Sequence, residues 1–154
     1  GDTIRENSSF CSYFSRMRRG ALYTYALENG FNKLAIAHHL DDAAESFMMN
    51  FIHNGALRTL APIYTSKRGV TVIRPLIFVR ERQLKDNATA NNLQVIGNEF
   101  CPGMRLSEKN VKFPHAREEA KGVLAELEKD NPKLFTSLKK AFENIHTSSF
   151  WQRA

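Results

Sequence analysis

The chain has 154 residues and a mass of 17.6 kDa, with 42% hydrophobic and 25% charged residues. This length predicts one globular domain with its own core, and the net charge of +6 favours a polyanionic partner. Apolar runs such as residues 72–79 are far shorter than the ~20 residues of a membrane span, and the polar N-terminus lacks the apolar region of a secretory signal. Because two cysteines do not make a disulfide scaffold, we expect a cytoplasmic protein.

Apolar periodicity and turn residues divide the chain into alternating helices and strands. Gly30 and Gly55 are typical C-caps, and Pro75 stops a strand. In chain order we predict a flexible lead-in (1–10), a helix (14–29), a strand (34–37), a helix (41–54), a basic irregular connection (56–69), a strand (70–74), a polar helix (80–92), a strand (93–96), a loop (98–114) and two helices (116–129 and 132–146). Strand, polar turn and helix in this order predict an α/β fold with a parallel, doubly wound sheet.

The number of strands is small for such a fold. A parallel sheet normally has more strands than the two or three predicted here, and the chain begins with a polar segment that leads into a helix. We therefore expect the first part of the sheet to lie upstream of these residues. The two last helices carry charges on most of their exposed positions, which is typical of a solvated face.

Reactive side chains concentrate where the first predicted strand meets the second helix. This segment contains His38, His39, Asp41, Asp42 and Glu45. Ligands of open α/β sheets bind at this edge, where the N–H groups of a helix attract phosphate. Two carboxylates repel a bare phosphate, so they favour a divalent metal ion between them.

Part of this segment also fits a purely structural role. Asp42 followed by Glu45 matches a capping box with Asp42 as the N-cap, and adjacent histidines on a strand end point to opposite faces, so at most one faces the edge. The His and Asp pairs also imitate a zinc hydrolase, but no HExxH spacing supports it. A Ser-His-Asp hydrolase has still less support, because the chain contains no G-x-S-x-G elbow.

Several segments in the same order resemble one family. The stretch KLAIAHHLDDAAESFMMNF resembles the G-H-H-x-D-D-x-x-E-T segment of PP-loop (N-type) ATP pyrophosphatases, and within them the chain is most similar to the tRNA 2-thiocytidine synthetases. Residues 11–20 are similar to that family's C-x-x-C-S-R-x-R-R-G element, residues 72–81 to its I-R-P-L…R-E step, and residues 124–145 to its C-terminal helices. The resemblance covers residues 11–150.

The resemblance implies a fold of the adenine nucleotide α-hydrolase type, Rossmann-like, without its first strand, S-G-G-x-D-S phosphate loop and first helix. It divides the chain into a partial PP-loop ATPase domain over residues 11–115 and a C-terminal helical segment over residues 116–154 that packs on it. The implied chemistry is adenylation of the 2-carbonyl of a tRNA pyrimidine by magnesium–ATP, after which sulfur displaces AMP. These residues alone, without the phosphate loop, are expected to be inactive.

The resemblance also implies the residues of a nucleotide site. Asp41 and Asp42 are expected to hold magnesium and to act in catalysis. Ala37, His38 and Arg74 are expected to line the ATP together with these carboxylates.

The two cysteines correspond to two of the family's three iron–sulfur ligands. Cys11 opens the first CxxC element, whose second cysteine is replaced by Phe14, and Cys101 matches the later position. An iron–sulfur cluster on these two residues would need a non-cysteine or exogenous ligand. The alternative is that each cysteine is a small buried hydrophobe.

Three arginines lie within one turn of the first helix. Arg16 and Arg19 share a face of that helix, and Arg18 leaves it. A solvated face explains such a run, and so does contact with the tRNA backbone, which the positive net charge favours. A sulfur-donor protein and a homodimer are partners that the sequence leaves open, and no membrane partner is expected. Two other functions also stay open: a non-catalytic module that binds RNA or a protein, and a PP-loop enzyme acting on a different RNA or on an amide.

Overall fold

The computed structural model describes residues 10–96 and 116–150. The elements, in chain order, are α1 (Phe10–Glu28), β1 (Lys33–Ala35), α2 (Leu40–Asn54), β2 (Ile63–Thr65), β3 (Thr71–Ile73), α3 (Glu81–Ala90), α4 (Ala116–Asp130), α5 (Leu134–Glu143) and a 3-10 turn (Thr147–Ser149). All five predicted helices are confirmed. Most of the predicted lead-in and the loop over residues 98–114 lie outside the described residues. None of the described helices is long and apolar enough to cross a membrane.

The three strands form one mixed sheet in the order β1-β3-β2. Strand β1 runs parallel to β3, with Leu34 opposite Val72, and β2 runs antiparallel to β3, with Tyr64 also opposite Val72. The parallel pair β1 and β3, joined through α2, confirms the predicted α/β organisation. The sheet is not purely parallel, because β2 comes from the connection that the sequence pattern left irregular.

Two predictions about strands are wrong. Residues 56–69 contain β2, which a tight turn returns into β3: Gly69 has a φ of 84°, and its N–H donates to the Ser66 carbonyl at 3.0 Å. The strand is only three residues long, directly follows Pro62 and is followed by polar and basic residues, so no clear strand pattern marks it. Residues 93–96 form no strand in the structure as described, and Val95 and Ile96 are exposed instead of paired.

Helix α2 begins with a capping box that differs from the predicted one. Its N-cap is His39, and Asp42 occupies the third helical position, so the assignment of Asp42 as N-cap to Glu45 is wrong. The main-chain N–H of His39 donates to Asp42 Oδ2 at 3.0 Å, and the N–H of Asp42 donates to His39 Nδ1 at 3.3 Å. An imidazole nitrogen thus replaces the usual hydroxyl or carboxylate of an N-cap. At the other end, Gly55 adopts a left-handed φ of 58° as predicted for a C-cap.

Buried apolar side chains lie in the sheet region and between the helices. Val72 of β3 and Val70, which directly precedes β3, are fully buried. Helices α4 and α5 pack against α2 through an apolar cluster that contains Leu40, Ala44, Leu124 and Phe135. The first turn of α2, which contains Leu40, is therefore packed against the C-terminal helices. The division of the chain into two segments at residue 115 stays a prediction.

Candidate functional site

The carboxyl ends of the parallel strands bring the predicted nucleotide residues to one edge. The backbone beyond β1 stays paired with β3, since the N–H of Ile36 donates to the Ile73 carbonyl at 2.9 Å. His38 follows β1 and Arg74 follows β3, and their side chains are in contact. Helix α2 then starts at Leu40, so its positive N-terminal end points toward the same edge. His38 and Arg74 thus meet beside the start of α2, as the α/β pattern requires. Ala37 lies on the connection between β1 and α2, and Asp41 and Asp42 lie in the first turn of α2.

Arg74 is a buried cation, with a relative exposure of 7%. Its Nε donates to Nδ1 of His38 at 3.1 Å, and a terminal nitrogen donates to the Ala61 carbonyl. The guanidinium carbon lies 5.2 Å from the centroid of the Tyr64 ring, within range of a cation–π interaction. The prediction that Arg74 lines ATP is not tested by these contacts, but they show that its guanidinium is directed at neighbouring protein groups.

The tyrosine beneath Arg74 ties the sheet to α1. The hydroxyls of Tyr64 and Tyr23 are hydrogen-bonded at 3.0 Å. Burial, the bond to Tyr64 and the proximity of that second phenol raise the pKa of Tyr23 above its usual value. Arg68 adds a second link, because it donates to the Gly20 carbonyl and to Thr24 Oγ1 of α1 at 3.2 and 2.8 Å. Helix α1 is therefore fixed beside the edge that holds Arg74.

His38 is half-buried and lies in a positive environment. Burial lowers the pKa of its imidazole, and the charges of Arg74, Arg117 and Arg18 lower it further, against an opposing effect of Asp42. The side chain is accordingly neutral at pH 7. The charge of Arg18, the arginine expected to leave the shared face of α1, thus acts on His38. The side chains of Arg16 and Arg18 are exposed and that of Arg19 is half-buried.

Asp41 is held by the start of α3. Arg80 donates its Nε to both carboxylate oxygens at 3.1 and 3.2 Å, and the main-chain N–H of Glu81 donates to Oδ2 at 2.7 Å. Burial acts to raise the pKa of Asp41, but the hydrogen bonds from Arg80 and Glu81 and the charge of Arg80 hold it below its usual value. Asp41 therefore stays ionised and links the first turns of α2 and α3.

Arg80 extends this link to the C-terminal helices. It forms a two-point ion pair with Glu128 of α4, at 2.7 and 3.0 Å, and its guanidinium carbon lies 3.3 Å from the centroid of the Phe135 ring. We call Asp41, Arg80, Glu128 and Phe135 the Arg80 cluster. Sequence reasoning missed it, since Glu128 was expected on a solvated face. A cavity beside the cluster of about 120 Å³ is smaller than the ~300 Å³ at which ligand pockets begin.

Asp42 and Glu45 share one arginine of α4. Arg117 donates its Nε to Glu45 Oε2 at 2.6 Å and a terminal nitrogen to Asp42 Oδ1. The two carboxylate side chains are 13% and 6% exposed, whereas the Arg117 side chain is 61% exposed. The site acids are thus neutralised by a cation that solvent reaches. No motif singled out Arg117, since its contact joins residues more than 70 positions apart.

The donor set fits magnesium at one of the two carboxylates. In the part of the chain that the structure describes, no three His, Cys, Asp or Glu side chains converge on one point. Magnesium needs no such cage, because it is usually held by one or two carboxylates together with phosphate oxygens and water. Both Asp41 oxygens already accept hydrogen bonds from groups fixed in α3, whereas Asp42 Oδ1 faces the exposed Arg117. The roles predicted for Asp41 and Asp42 stay predictions.

The cysteine prediction falls largely outside the described residues. Cys11 lies in the first turns of α1, and Cys101 lies beyond residue 96, outside the described ranges. Their suggested iron–sulfur cluster therefore stays a prediction.

Comparisons with known proteins agree with this arrangement. Residues 8–99 match the family model of the PP-loop domain. The chain belongs to the PP-loop family. The matched residues include both strands of the parallel pair and the whole first turn of α2. The match to the PP-loop family therefore includes the edge of the sheet at which His38 and Arg74 meet.

Two similar relatives share one name. The PP-loop chain is 40% identical over 149 residues to a tRNA-cytidine(32) 2-sulfurtransferase of Geobacter sulfurreducens, covering 94% of this chain and 55% of the relative. It is 38% identical over 143 residues to the enzyme of that name from Citrifermentans bemidjiense, covering 92% of this chain and 53% of the relative. The chain thus spans about half the length of these relatives.

A solved structure shares the fold. The U34-tRNA thiolase NcsA of Methanococcus maripaludis, described with its [4Fe-4S] cluster, superposes with a TM-score of 0.68 at 25% sequence identity. The match covers 93% of this chain and 45% of that one. The predicted α/β fold of the PP-loop type is therefore confirmed.

Proposed function

We propose that this PP-loop chain forms the nucleotide-binding edge of an enzyme that thiolates tRNA. ATP adenylates the 2-carbonyl of a pyrimidine, and sulfur then displaces AMP. The observation that carries the proposal is the convergence of His38, Arg74 and the first turn of α2 at the carboxyl edge of the parallel pair. The names of the relatives supply the substrate class, a cytidine in tRNA.

The edge is suited to bind phosphate. The N-terminal end of α2 carries a partial positive charge, and the charges of Arg18, Arg74 and Arg117 already act on His38 at the same place. Ala37 is exposed beside them and gives the nucleotide room to approach. The phosphates would meet the N-terminal end of α2 and these arginines, with magnesium offsetting the negative charge of Asp42.

Asp42 is the carboxylate that we propose faces magnesium. Its Oδ2 is fixed by the main-chain N–H of His39, and its Oδ1 becomes available when Arg117 turns away. Bound there, magnesium supplies charge compensation for the leaving pyrophosphate. Arg117, released from Asp42, would then be available to contact a phosphate oxygen.

Asp41 has a different part in this proposal. Because Arg80 and Glu81 hold both of its oxygens, it orients the first turn of α2 against α3. Substitution of Asp41 is therefore expected to lower the stability of the protein as well as its activity. Asp42 is the sharper test of the nucleotide site.

The proposed tRNA contact lies on α1. Arg16, Arg18 and Arg19 would bind backbone phosphates, as the net charge of +6 favours. A tRNA substrate implies a location in the cytoplasm. We also propose that Cys11 and Cys101 contribute to an iron–sulfur cluster, in line with the cluster described for the Methanococcus maripaludis thiolase. A sulfur-donor protein and a homodimer are compatible with this function.

The test measures AMP release and nucleotide binding with the complete protein and its tRNA. We expect Asp42→Asn to lower ATP-dependent AMP release by about 100-fold or more, because several kcal/mol of transition-state stabilisation depend on the metal. Asp86→Asn, a matched change on the exposed surface of α3, should leave the rate unchanged. Salt-sensitive tRNA binding without any ATP binding by the wild type would instead favour the non-catalytic module.

A further inference from the structure

We infer that Arg74 is a positioning residue that acts through His38. The arginine holds the imidazole in the neutral tautomer whose proton is on Nε2, so that the edge of the sheet presents an N–H donor. The inference concerns Arg74 and His38 alone, and only its last step rests on the proposed function.

The direction of the hydrogen bond fixes the tautomer. The guanidinium of arginine has only N–H donors and does not lose its proton in proteins. In the 3.1 Å contact between Arg74 Nε and His38 Nδ1, arginine must therefore donate and Nδ1 must carry a lone pair. A neutral imidazole has one proton, which consequently resides on Nε2.

Arg74 is held firmly enough to impose this choice. Besides His38, its guanidinium bonds the Ala61 carbonyl and lies over the Tyr64 ring. Its main-chain N–H donates to the Pro62 carbonyl at 2.8 Å. The side chain thus has contacts on β2 and its flanking segment, and at 7% exposure it has little freedom to turn.

The Nε2–H of His38 is left for another partner. No described residue accepts a hydrogen bond from this atom. In the described ranges each fully buried side-chain N or O atom has a partner, whereas His38 is only half-buried, so its Nε2–H is open to a partner from outside. The charges of Arg18, Arg74 and Arg117 around it favour an anionic acceptor, and the charge of Asp42 acts in the opposite direction. If the proposed function is correct, that acceptor is a phosphate oxygen of the nucleotide.

Nuclear magnetic resonance tests the tautomer directly. In the ¹⁵N-labelled protein at pH 7.5, we expect His38 to show an unprotonated Nδ1 and a protonated Nε2, with a scalar coupling between Arg74 Nε and His38 Nδ1 across the hydrogen bond. His39 is an internal reference, because its Nδ1 accepts from the main chain of Asp42 independently of Arg74. A proton on His38 Nδ1 would overturn the inference.

The variant Arg74→Met separates cause from coincidence. We expect His38 to lose its single tautomer and populate both, whereas His39 keeps its signals. A folded Arg74→Met protein in which His38 stays entirely in the Nε2–H form would contradict the role of Arg74. Should the variant fail to fold, the coupling in the wild type decides, and its absence refutes the inference.

The ligand is tested with ATP as the probe. Addition of ATP to the complete protein should shift the Nε2–H resonance of His38, and a resonance that stays in place while ATP binds would contradict the donor role. If ATP does not bind at all, the proposed function fails, and the tautomer result remains as an independent finding.

Discussion

The Arg80 cluster gives the most quantitative prediction. Arg80→Met removes the cation from two carboxylates but keeps an unbranched side chain over the Phe135 ring. Removal of one member of a buried ion pair costs about 3–5 kcal/mol. The Arg80, Asp41 and Glu128 side chains are 14%, 15% and 25% exposed. Because some solvent reaches all three, we expect the lower end, a loss of about 3 kcal/mol in the free energy of unfolding.

Urea denaturation followed by circular dichroism measures this loss at pH 7. In a thermal melt, a loss of about 3 kcal/mol corresponds to a melting temperature lower by about 6–12 °C, at about 2–4 °C for each kcal/mol in a chain of this size. Arg82→Met is the matched control, since Arg82 is 70% exposed and lies 4.0 Å from Glu128, and it should cost less than about 0.5 kcal/mol. Equal effects of the two substitutions would show that the Arg80 cluster does not hold α3 and α4 to α2.

The same cluster predicts an acid-sensitive stability. Hydrogen bonding by Arg80 is the main cause that holds the pKa of Glu128 below its usual value of 4.5, and that of Asp41 lies below its usual 3.8. Groups with lowered pKa values stabilise the fold above these usual values and lose that contribution as the pH falls through the lowered ones. The wild type should therefore lose stability below about pH 4.5 more steeply than Arg80→Met. Parallel pH profiles of the two proteins would refute this linkage.

Three further predictions concern α1, α2 and α4. Gly55→Ala should destabilise the protein by about 1 kcal/mol, because Gly55 has a φ of 58°. Gly122→Ala inside α4, where a methyl group meets open space, should stabilise it by about 0.5–1 kcal/mol. Chemical denaturation compares the two variants, and a reversed order would contradict the backbone argument. Tyr23→Phe should lower the free energy of unfolding by about 1 kcal/mol at pH 7. The raised pKa of Tyr23 gives the wild type a stabilising contribution that is lost as the pH rises above 10, so the difference in stability between the two proteins should shrink there. A constant difference in pH-dependent melts would count against the Tyr64 bond. Arg117→Met should destabilise the protein by about 1 kcal/mol, since the partner Glu45 is buried but Arg117 is exposed. Lys129→Met is the exposed control in the same melts. No loss of stability in Arg117→Met would mean that Arg117 does not pair with Glu45.

Local sequence signals predicted the elements that carry the site. The apolar spacing in α2, its C-cap at Gly55 and the run of residues that forms β1 each depend on a few neighbouring positions, and the structure has them within one or two residues of the predicted bounds. The strand–helix order then indicated the edge of the sheet at which a ligand is expected. The resemblance added the nucleotide chemistry that the pattern alone did not contain.

Long-range contacts account for what the sequence did not show. The Arg80–Glu128 and Arg117–Glu45 pairs join residues 48 and 72 positions apart, and no spacing rule relates them. Strand β2 depends on pairing with β3 and lacks a clear pattern of its own. The capping box was displaced because His39 supplied the acceptor, a role that sequence rules give to Ser, Thr, Asp or Asn.

Mass spectrometry of nucleosides tests the proposed function most directly. The complete protein is incubated with tRNA, ATP, magnesium and a sulfur source, and the digested tRNA is examined for 2-thiocytidine. The proposal predicts thiolated cytidine with the wild type and with Asp86→Asn, and a loss of at least about 100-fold with Asp42→Asn, matched by the loss of AMP release. Thiolation that proceeds unchanged in Asp42→Asn, or no thiolation of any base by the wild type, would contradict it.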